Sequence, residues 1–416
     1  MNPVAFSEFS IDNASILFLS LMRKEHTNSF RFTMTLKEII APDILQLAVD
    51  RIWKRFPSVI AGFQPSFFHF RHIPAAKPPQ VRPDPGCLHA MTRKELQECC
   101  FRILYSGMDI SIEAFHALTD GYGAITTFIT LVSEYLYLKN EIHVPISDIR
   151  LDPASQPKDY EVADSFLDHT QDLPRHLPSR FSYQLPRSSA HSWDVKTSSF
   201  TVETKLLLEA AHRYEVTLNT LLSCVLASSV MEIQKKYRTP RQLKPVRIMV
   251  PVDLRRLFPS KTLRNFSLYS LPTMEPDQHD ISLKELCDSF GKQLRSQLSK
   301  ENLAAMISYN VRTQNAWYFR MIPWAVKGIA MRLGYRFFGE SNSSLTLTNL
   351  GKVQLPLELS PHVEDMQVYL TPRMGSPYGC AVLSYGNKIT INMSRFCQQT
   401  ELEEVFFRNL QAVMNS

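Results

Sequence analysis

His116, Asp120 and Gly121 form the arrangement in this chain best suited to chemistry, a histidine followed four residues later by an aspartate and then a glycine. They sit in Ile110-Ser-Ile-Glu-Ala-Phe-His-Ala-Leu-Thr-Asp-Gly-Tyr-Gly, where Ile110, Ile112, Ala114 and His116 alternate as one face of a buried strand. The strand must end in a turn that Asp120, Gly121 and Gly123 permit, so an imidazole is offered at a strand end. A low-dielectric setting keeps such a ring neutral, and a neighbouring acceptor fixes its tautomer, which is what an interior general base needs. A satisfied core histidine fits the same pattern. Asp120 is too close in sequence to reach the same ring across a tight turn, so it is expected to be a structural charge seeking an arginine. Gly121 removes a side chain where the backbone must bend.

The elements around that turn read as α+β. Phe30-Arg-Phe-Thr-Met-Thr-Leu alternates as a strand, and a helix opens at Pro42 with Leu45, Ala48, Val49, Ile52, Trp53 and Phe56 at helical spacing. Gly123 leads into a second helix carrying Ile125, Phe128, Ile129, Val132, Tyr135 and Leu136. Residues 151–194 are rich in proline and polar side chains, and so long a connection inside one compact unit is unusual, which places a crossover between two domains there. The expected division is 1–160, a crossover over 161–195, and 196–416. The second unit opens with a strand at Ser198 to Val202, a helix from Glu203 to Tyr214, and a long buried helix from Asn219, a candidate N-cap, to Lys236. Pro251-Val-Asp-Leu-Arg then runs into an arginine-bearing loop at an edge or domain junction. Trp317 to Phe338 mixes large apolar residues with Lys327, Arg332 and Arg336. That composition suits either a basic helix on a membrane surface or a packed helix, and the periodicity is assigned to core. The chain closes with two alternating segments flanking a Tyr385-Gly-Asn-Lys turn and a helix near Glu401 to Met414.

Composition narrows the classes. With 416 residues, 44% hydrophobic and 21% charged, the chain is globular in composition and longer than one core usually serves. The net charge of +6 is spread along the sequence, with no basic stripe, glycine-rich phosphate loop or zinc-finger spacing, so no nucleic acid is expected. Seven scattered cysteines without a CxxC pair argue against a disulfide framework and against a structural metal. No apolar run reaches membrane-spanning length and the N-terminus has no signal-peptide pattern, so a cytoplasmic protein without a membrane span is expected.

Five segments, in order, resemble the superfamily of chloramphenicol acetyltransferase, non-ribosomal peptide condensation domains, polyketide-associated acyltransferases and alcohol acetyltransferase-like proteins. Ile44 to Phe63 is similar to the family's first helix with its Arg-x-Pro ending, and His116 to Gly121 matches its HxxxDG motif. Glu215-Val-Thr-Leu-Asn-Thr-Leu-Leu matches the helix entry of the second lobe. Pro251-Val-Asp-Leu-Arg matches a strand end, and Thr348-Asn-Leu-Gly-Lys-Val-Gln-Leu-Pro an SNLG-type segment. The resemblance implies two similar α+β lobes, each a mixed sheet with flanking helices, with an active-site channel between them. It implies His116 as the base, with Asp120 holding the loop through an ion pair to Arg255, Arg256 being the nearer decoy. Thr348 stands where the family usually has serine and would donate to an oxyanion, while Asn265 and Asn349 would support the adjoining loops.

Two departures matter. Phe115 replaces the first of the paired histidines of condensation domains, and Pro372-Arg-Met-Gly-Ser-Pro-Tyr-Gly stands where plant enzymes of this superfamily carry DFGWG. The match is therefore nearest to the microbial alcohol acetyltransferase-like group. The implied reaction carries an acyl group from acyl-CoA, as co-substrate and not bound cofactor, to a small-molecule alcohol. A carrier-protein donor bearing acyl-phosphopantetheine, an amine acceptor, and a non-catalytic binding protein of the same fold remain alternatives.

Overall fold

The computed structural model describes residues 6–86, 88–171, 181–186, 194–335, 340–373 and 375–415. In chain order its elements are α1 (Asn13–Leu21), β1 (Ser29–Leu36), α2 (Pro42–Ile52), β2 (Ala61–Pro65), β3 (Phe70–Pro74), β4 (Val81–Pro83), α3 (Arg93–Glu98), β5 (Phe101–Ser106), β6 (Asp109–Phe115), α4 (Gly121–Asn140) and α5 (Asp159–Val162). There follow β7 (Lys196–Glu203), α6 (Thr204–Arg213), α7 (Leu218–Tyr237), β8 (Val246–Asp253), β9 (Ser267–Ser270), β10 (Thr273–Met274), α8 (Leu283–Gln297) and α9 (Lys300–Asn315). The last are α10 (Trp317–Met321), α11 (Trp324–Gly334), β11 (Leu345–Lys352), β12 (Val363–Leu370), β13 (Tyr378–Tyr385), β14 (Lys388–Arg395) and α12 (Glu401–Asn415).

Two mixed sheets organise the chain, one ordered β12-β1-β6-β5-β4 and the other β10-β8-β11-β13-β14-β7 with β9 beside β8. Helices α2 and α4 cover the first sheet because their apolar positions, such as Leu45, Val49, Phe128 and Val132, meet Ile110, Ile112 and Ala114 of β6 in one core. Helices α7, α8 and α12 cover the second, with Leu222, Val225, Phe290 and Phe406 packed against Ile248, Leu347 and Ile391. The α+β class and the two-lobed mixed-sheet architecture are as expected.

The division at 160 and 196 does not follow the sheets. Strand β12, far into the second half, pairs antiparallel with β1 over Phe30↔Leu370 to Leu36↔Val363, so the N-terminal sheet is completed by a C-terminal strand. Asn392 of β14 donates to the Val368 carbonyl at 3.0 Å and ties that strand back to its own lobe. β13 lies between the cores, with Cys380 and Val382 in one and Ala381 and Leu383 in the other. Local limits also shift. The N-cap of α7 is Thr217, whose hydroxyl accepts from the Thr220 amide, and Asn219 lies inside the helix. The proline-rich crossover includes α5, and residues 172–180 and 187–193 of it lie outside the described residues. The six described cysteines are free thiols.

Candidate active site

Strand β6 delivers His116. It is held between β1 and β5, and its buried Glu113 accepts from Arg31 at 2.5 Å and from Arg102 at 2.9 Å, which fixes the register by charge as well as by pairing. The strand stops at Phe115, one residue earlier than the alternation suggests. Phe115 is fully buried edge-on to Phe63, and His116 opens the turn with its amide donating to the Asn28 carbonyl at 2.8 Å.

His116 is half-buried as a residue. Phe18 of α1 stacks on it at 4.7 Å and Phe30 of β1 meets it edge-on at 5.0 Å. Asn265 grips the residue twice. Its Nδ2 donates to the His116 carbonyl at 2.8 Å, and its Oδ1 lies 3.2 Å from ring Nδ1. A carbonyl only accepts, so the first bond fixes the orientation of the amide. Oδ1 must then accept from a protonated Nδ1, and Nε2 keeps its lone pair. Burial pushes the His116 pKa below the usual imidazole value, opposed by its own carbonyl, the Asp120 charge and Asn265. The neutral form therefore prevails at neutral pH.

Asp120 does not bond to the ring, because both its oxygens are engaged elsewhere. Oδ1 caps α4 through the amides of Tyr122 at 3.1 Å and Gly123 at 3.4 Å, and Oδ2 accepts from Arg255 Nη1 at 2.8 Å and from the Phe266 amide at 2.8 Å. Arg255 uses its whole fork. Nη1 also reaches Asp253 at 2.9 Å, Nη2 donates to the Thr262 and Arg264 carbonyls at 2.8 Å each, and the guanidinium lies 4.6 Å over the Tyr122 ring. Arg256 is exposed. The Asp120–Arg255 pair thus moulds the segment Thr262–Phe266, and that segment presents Asn265 to His116.

The same segment is held from other sides. Thr119 Oγ1 donates to the Leu263 carbonyl at 2.6 Å, and buried Arg264 reaches Asp12 at 3.0 Å and the Ser10 carbonyl at 2.7 Å. Asp12 is also the N-cap of α1, accepting from the Ser15 amide at 2.7 Å, so one carboxylate links the Asn265 segment to the helix carrying Phe18.

The glycines exchange roles relative to expectation. Gly121 opens α4 outside the left-handed region, and a Cβ there would meet only the flexible Leu350 Cδ2 at 3.0 Å. At Gly123 a Cβ would lie 2.0 Å from the Leu263 carbonyl oxygen and 2.3 Å from Thr119 Oγ1, so Gly123 is the one the lobe contact requires.

Thr348 is half-buried on β11 opposite Ala381 of β13. In-register partners share a face, and Ala381 belongs to the first lobe's core, whereas neighbouring Leu347 faces the second. Thr348 is therefore turned toward the seam between lobes. Leu350, two residues on and so about 7 Å along an extended strand, packs where Gly121 begins α4. Asn349 Oδ1 accepts from the Gly351 amide at 2.9 Å, which shapes the end of β11 and does not touch the histidine. Sequence reasoning missed Phe18, Phe30, Asp12, Thr119 and Arg264. Asn265 was read only as loop support, since nothing local marks a partner 149 positions away.

No protein-family model matches the sequence, and no curated protein sequence does. Solved structures share the fold at low identity. Fusarium sporotrichioides TRI101 complexed with coenzyme A and T-2 is 12% identical with a TM-score of 0.62, covering 96% of this chain and 97% of that one. The first condensation domain of the calcium-dependent antibiotic synthetase, solved with a substrate analogue, is 11% identical with a TM-score of 0.62, at 100% and 97% coverage. TRI3 trichothecene 15-O-acetyltransferase from the same Fusarium is 9% identical with a TM-score of 0.59, at 100% and 98% coverage. The chain thus has the fold that condensation domains and acyltransferases of this type share over their full length.

Proposed function

We propose that the protein is an acyltransferase that moves an acyl group from a thioester, acyl-CoA in the first instance, to the hydroxyl of a small-molecule acceptor, with His116 as general base. The observation that carries this reading is the double grip of Asn265, which leaves Nε2 of a neutral imidazole as the proton acceptor. In the reaction Nε2 takes the hydroxyl proton as the oxygen attacks the thioester carbonyl carbon, and the carbonyl electron pair moves to oxygen. Thr348 would donate to that oxyanion. Collapse restores the carbonyl and breaks the C–S bond, and the proton passes from Nε2 to the departing thiolate, so the ring returns neutral. Asp120 and Arg255 are positioning residues, acting through Asn265 and the start of α4.

A fold shared with an enzyme solved with coenzyme A supports the choice of donor. The same base would serve an acyl-phosphopantetheine donor on a carrier protein, or an amine acceptor. Free-thiol release from a panel of acyl-CoAs, by wild type and His116→Ala with and without mixed alcohols and amines, tests the reading. Acceptor-stimulated release lost in the variant is expected. Release equal in both proteins would sink it, and no release from any CoA thioester or acylated carrier would point to a binding protein of this fold.

A further inference from the structure

Helix α11 is apolar on both faces. Trp324 and Met331 turn inward against the first core, and Lys327, itself buried, donates to the Phe68 carbonyl at 3.1 Å with its ammonium 4.6 Å over the Phe319 ring. The outward stripe is formed by Val326, Ile329, Ala330 and Leu333, spaced i, i+3, i+4 and i+7, and Val326, Ile329 and Leu333 are 56%, 56% and 52% exposed. A helix with apolar residues on its solvent side has not met its full environment, and the expectation that this periodicity is core holds for the inner face alone.

The stripe is part of a larger face. Just before it, α10 exposes Trp317, Tyr318 and Met321 at 77%, 60% and 63%. Beside it the β2–β3 loop tip, whose Phe67 is 70% exposed, is stitched to α11 by the Trp324 amide donating to the Phe67 carbonyl at 2.8 Å and by Phe70 edge-on to Trp324 at 4.9 Å. So large a cluster of exposed aromatic and branched side chains marks an interaction surface.

Charge decides the occupant. From Asn302 to Gly339 the sequence has no Asp or Glu and five Arg or Lys, and the loop from Gln64 to Arg71 also lacks acids. Arg320 and Arg332 are exposed beside the apolar side chains. Insertable Trp, Tyr, Phe, Ile and Leu with flanking arginines, and with Glu8 the exposed acid at the edge of this face and paired to Arg71 at 3.8 Å, is a composition suited to binding an anionic bilayer in its interfacial plane. A protein partner recognised through charge would need a denser cluster of exposed cations than Arg320, Arg332 and the Glu8-paired Arg71 supply amid so much apolar surface. No single helix among the described residues is long and apolar enough to cross a membrane, so the contact would lie in the interface.

We infer that α10, α11 and the β2–β3 loop tip form a docking surface for an anionic membrane. Helix α11 packs against α1, whose Phe18 stacks on His116, so the docked face is joined to the imidazole through two packed helices. The surface itself stands independently of the acyl-transfer reading.

The test is sedimentation of the full chain with vesicles of phosphatidylcholine alone, or with about one-third phosphatidylserine, at low and high salt. Wild type is expected to pellet with the anionic vesicles, less with neutral ones, and less in high salt. Ile329→Ser/Leu333→Ser should weaken that binding more than about tenfold, and Trp317→Phe should diminish the blue shift of tryptophan emission on vesicles. All these side chains are exposed, so thermal melts of the variants should match wild type. Wild type left in the supernatant with both vesicles would overturn the inference, as would a wild-type dimer that the serine variant alone makes monomeric. Binding lost in Arg320→Glu/Arg332→Glu but untouched by the serine variant would also overturn it, by showing an electrostatic contact without insertion.

Discussion

If His116 is the base proposed above, replacing Asn265 by alanine should slow acyl transfer while leaving the imidazole itself in place. The change removes Oδ1, 3.2 Å from Nδ1, and Nδ2, 2.8 Å from the His116 carbonyl. A net hydrogen bond contributes about 1 kcal/mol and a buried group left unpaired costs about 1–3 kcal/mol. With the ring free to turn or change tautomer, a loss of about 1.4–2.7 kcal/mol in orientation corresponds to roughly 10- to 100-fold in kcat/KM. That is less than the roughly 10²- to 10⁴-fold expected from removing the base itself in His116→Ala. The assay is acceptor-stimulated thiol release across a pH series, with a melt to confirm folding. Asn265→Asp supplies the discriminating readout. A carboxylate beside Nδ1 favours the imidazolium, so the acid limb of kcat/KM should move to higher pH, which a merely structural residue would not cause. Asn265→Ala within twofold of wild type, with an unmoved acid limb in Asn265→Asp, would refute the tautomer argument.

Arg255→Lys should be nearly as damaging as Arg255→Ala, because one ammonium cannot serve Asp120, Asp253 and two backbone carbonyls together; kcat/KM and a melt measured on both variants check this. In wild type, kcat/KM should rise with pH through a His116 pKa below 6.5 and then stay flat, since burial favours the neutral ring; an acid limb centred above 6.5 would contradict it. The same shift has a stability consequence: the unfolded histidine binds its proton at higher pH than the folded one, so this contribution is lost as pH falls below 6.5. Asp164, pushed up to about 6 by burial and by the charge of Asp12, carries the opposite sign, since its folded form holds a proton where the unfolded form has released it. Its unfavourable contribution therefore grows as pH rises toward about 6, and Asp164→Asn should raise the melting temperature at pH 7 more than at pH 4. Gly123→Ala should lower the melting temperature sharply while Gly121→Ala is tolerated, because only the former drives a Cβ into backbone.

What the sequence makes legible is whatever its chemistry encodes locally. His116, Asp120 and Arg255 can be marked because an imidazole, a carboxylate and a cation at turn positions each state a local need, and the resemblance supplies their pairing. The carboxylate closes that pairing in the fold at 2.8 Å. Asn265 is different. An asparagine in a turn satisfies backbone groups in almost any protein, so its contact with the ring follows only from the path of Thr262–Phe266, which Arg255, Thr119 and Arg264 set from three directions. Strand β12 fails for a related reason, since pairing partners are chosen in space and β1 accepts a strand more than 300 positions away. Gly123 is hidden because its neighbour is the Leu263 carbonyl of the other lobe. Helix α11 shows the limit of periodicity most plainly. The spacing of Val326, Ile329 and Leu333 says that they share a face, and Trp324 and Met331 share another, but the pattern is symmetric in what those faces meet. Only the fold shows that one is buried, and only the absence of acids from Asn302 to Gly339 says what the other is suited to touch.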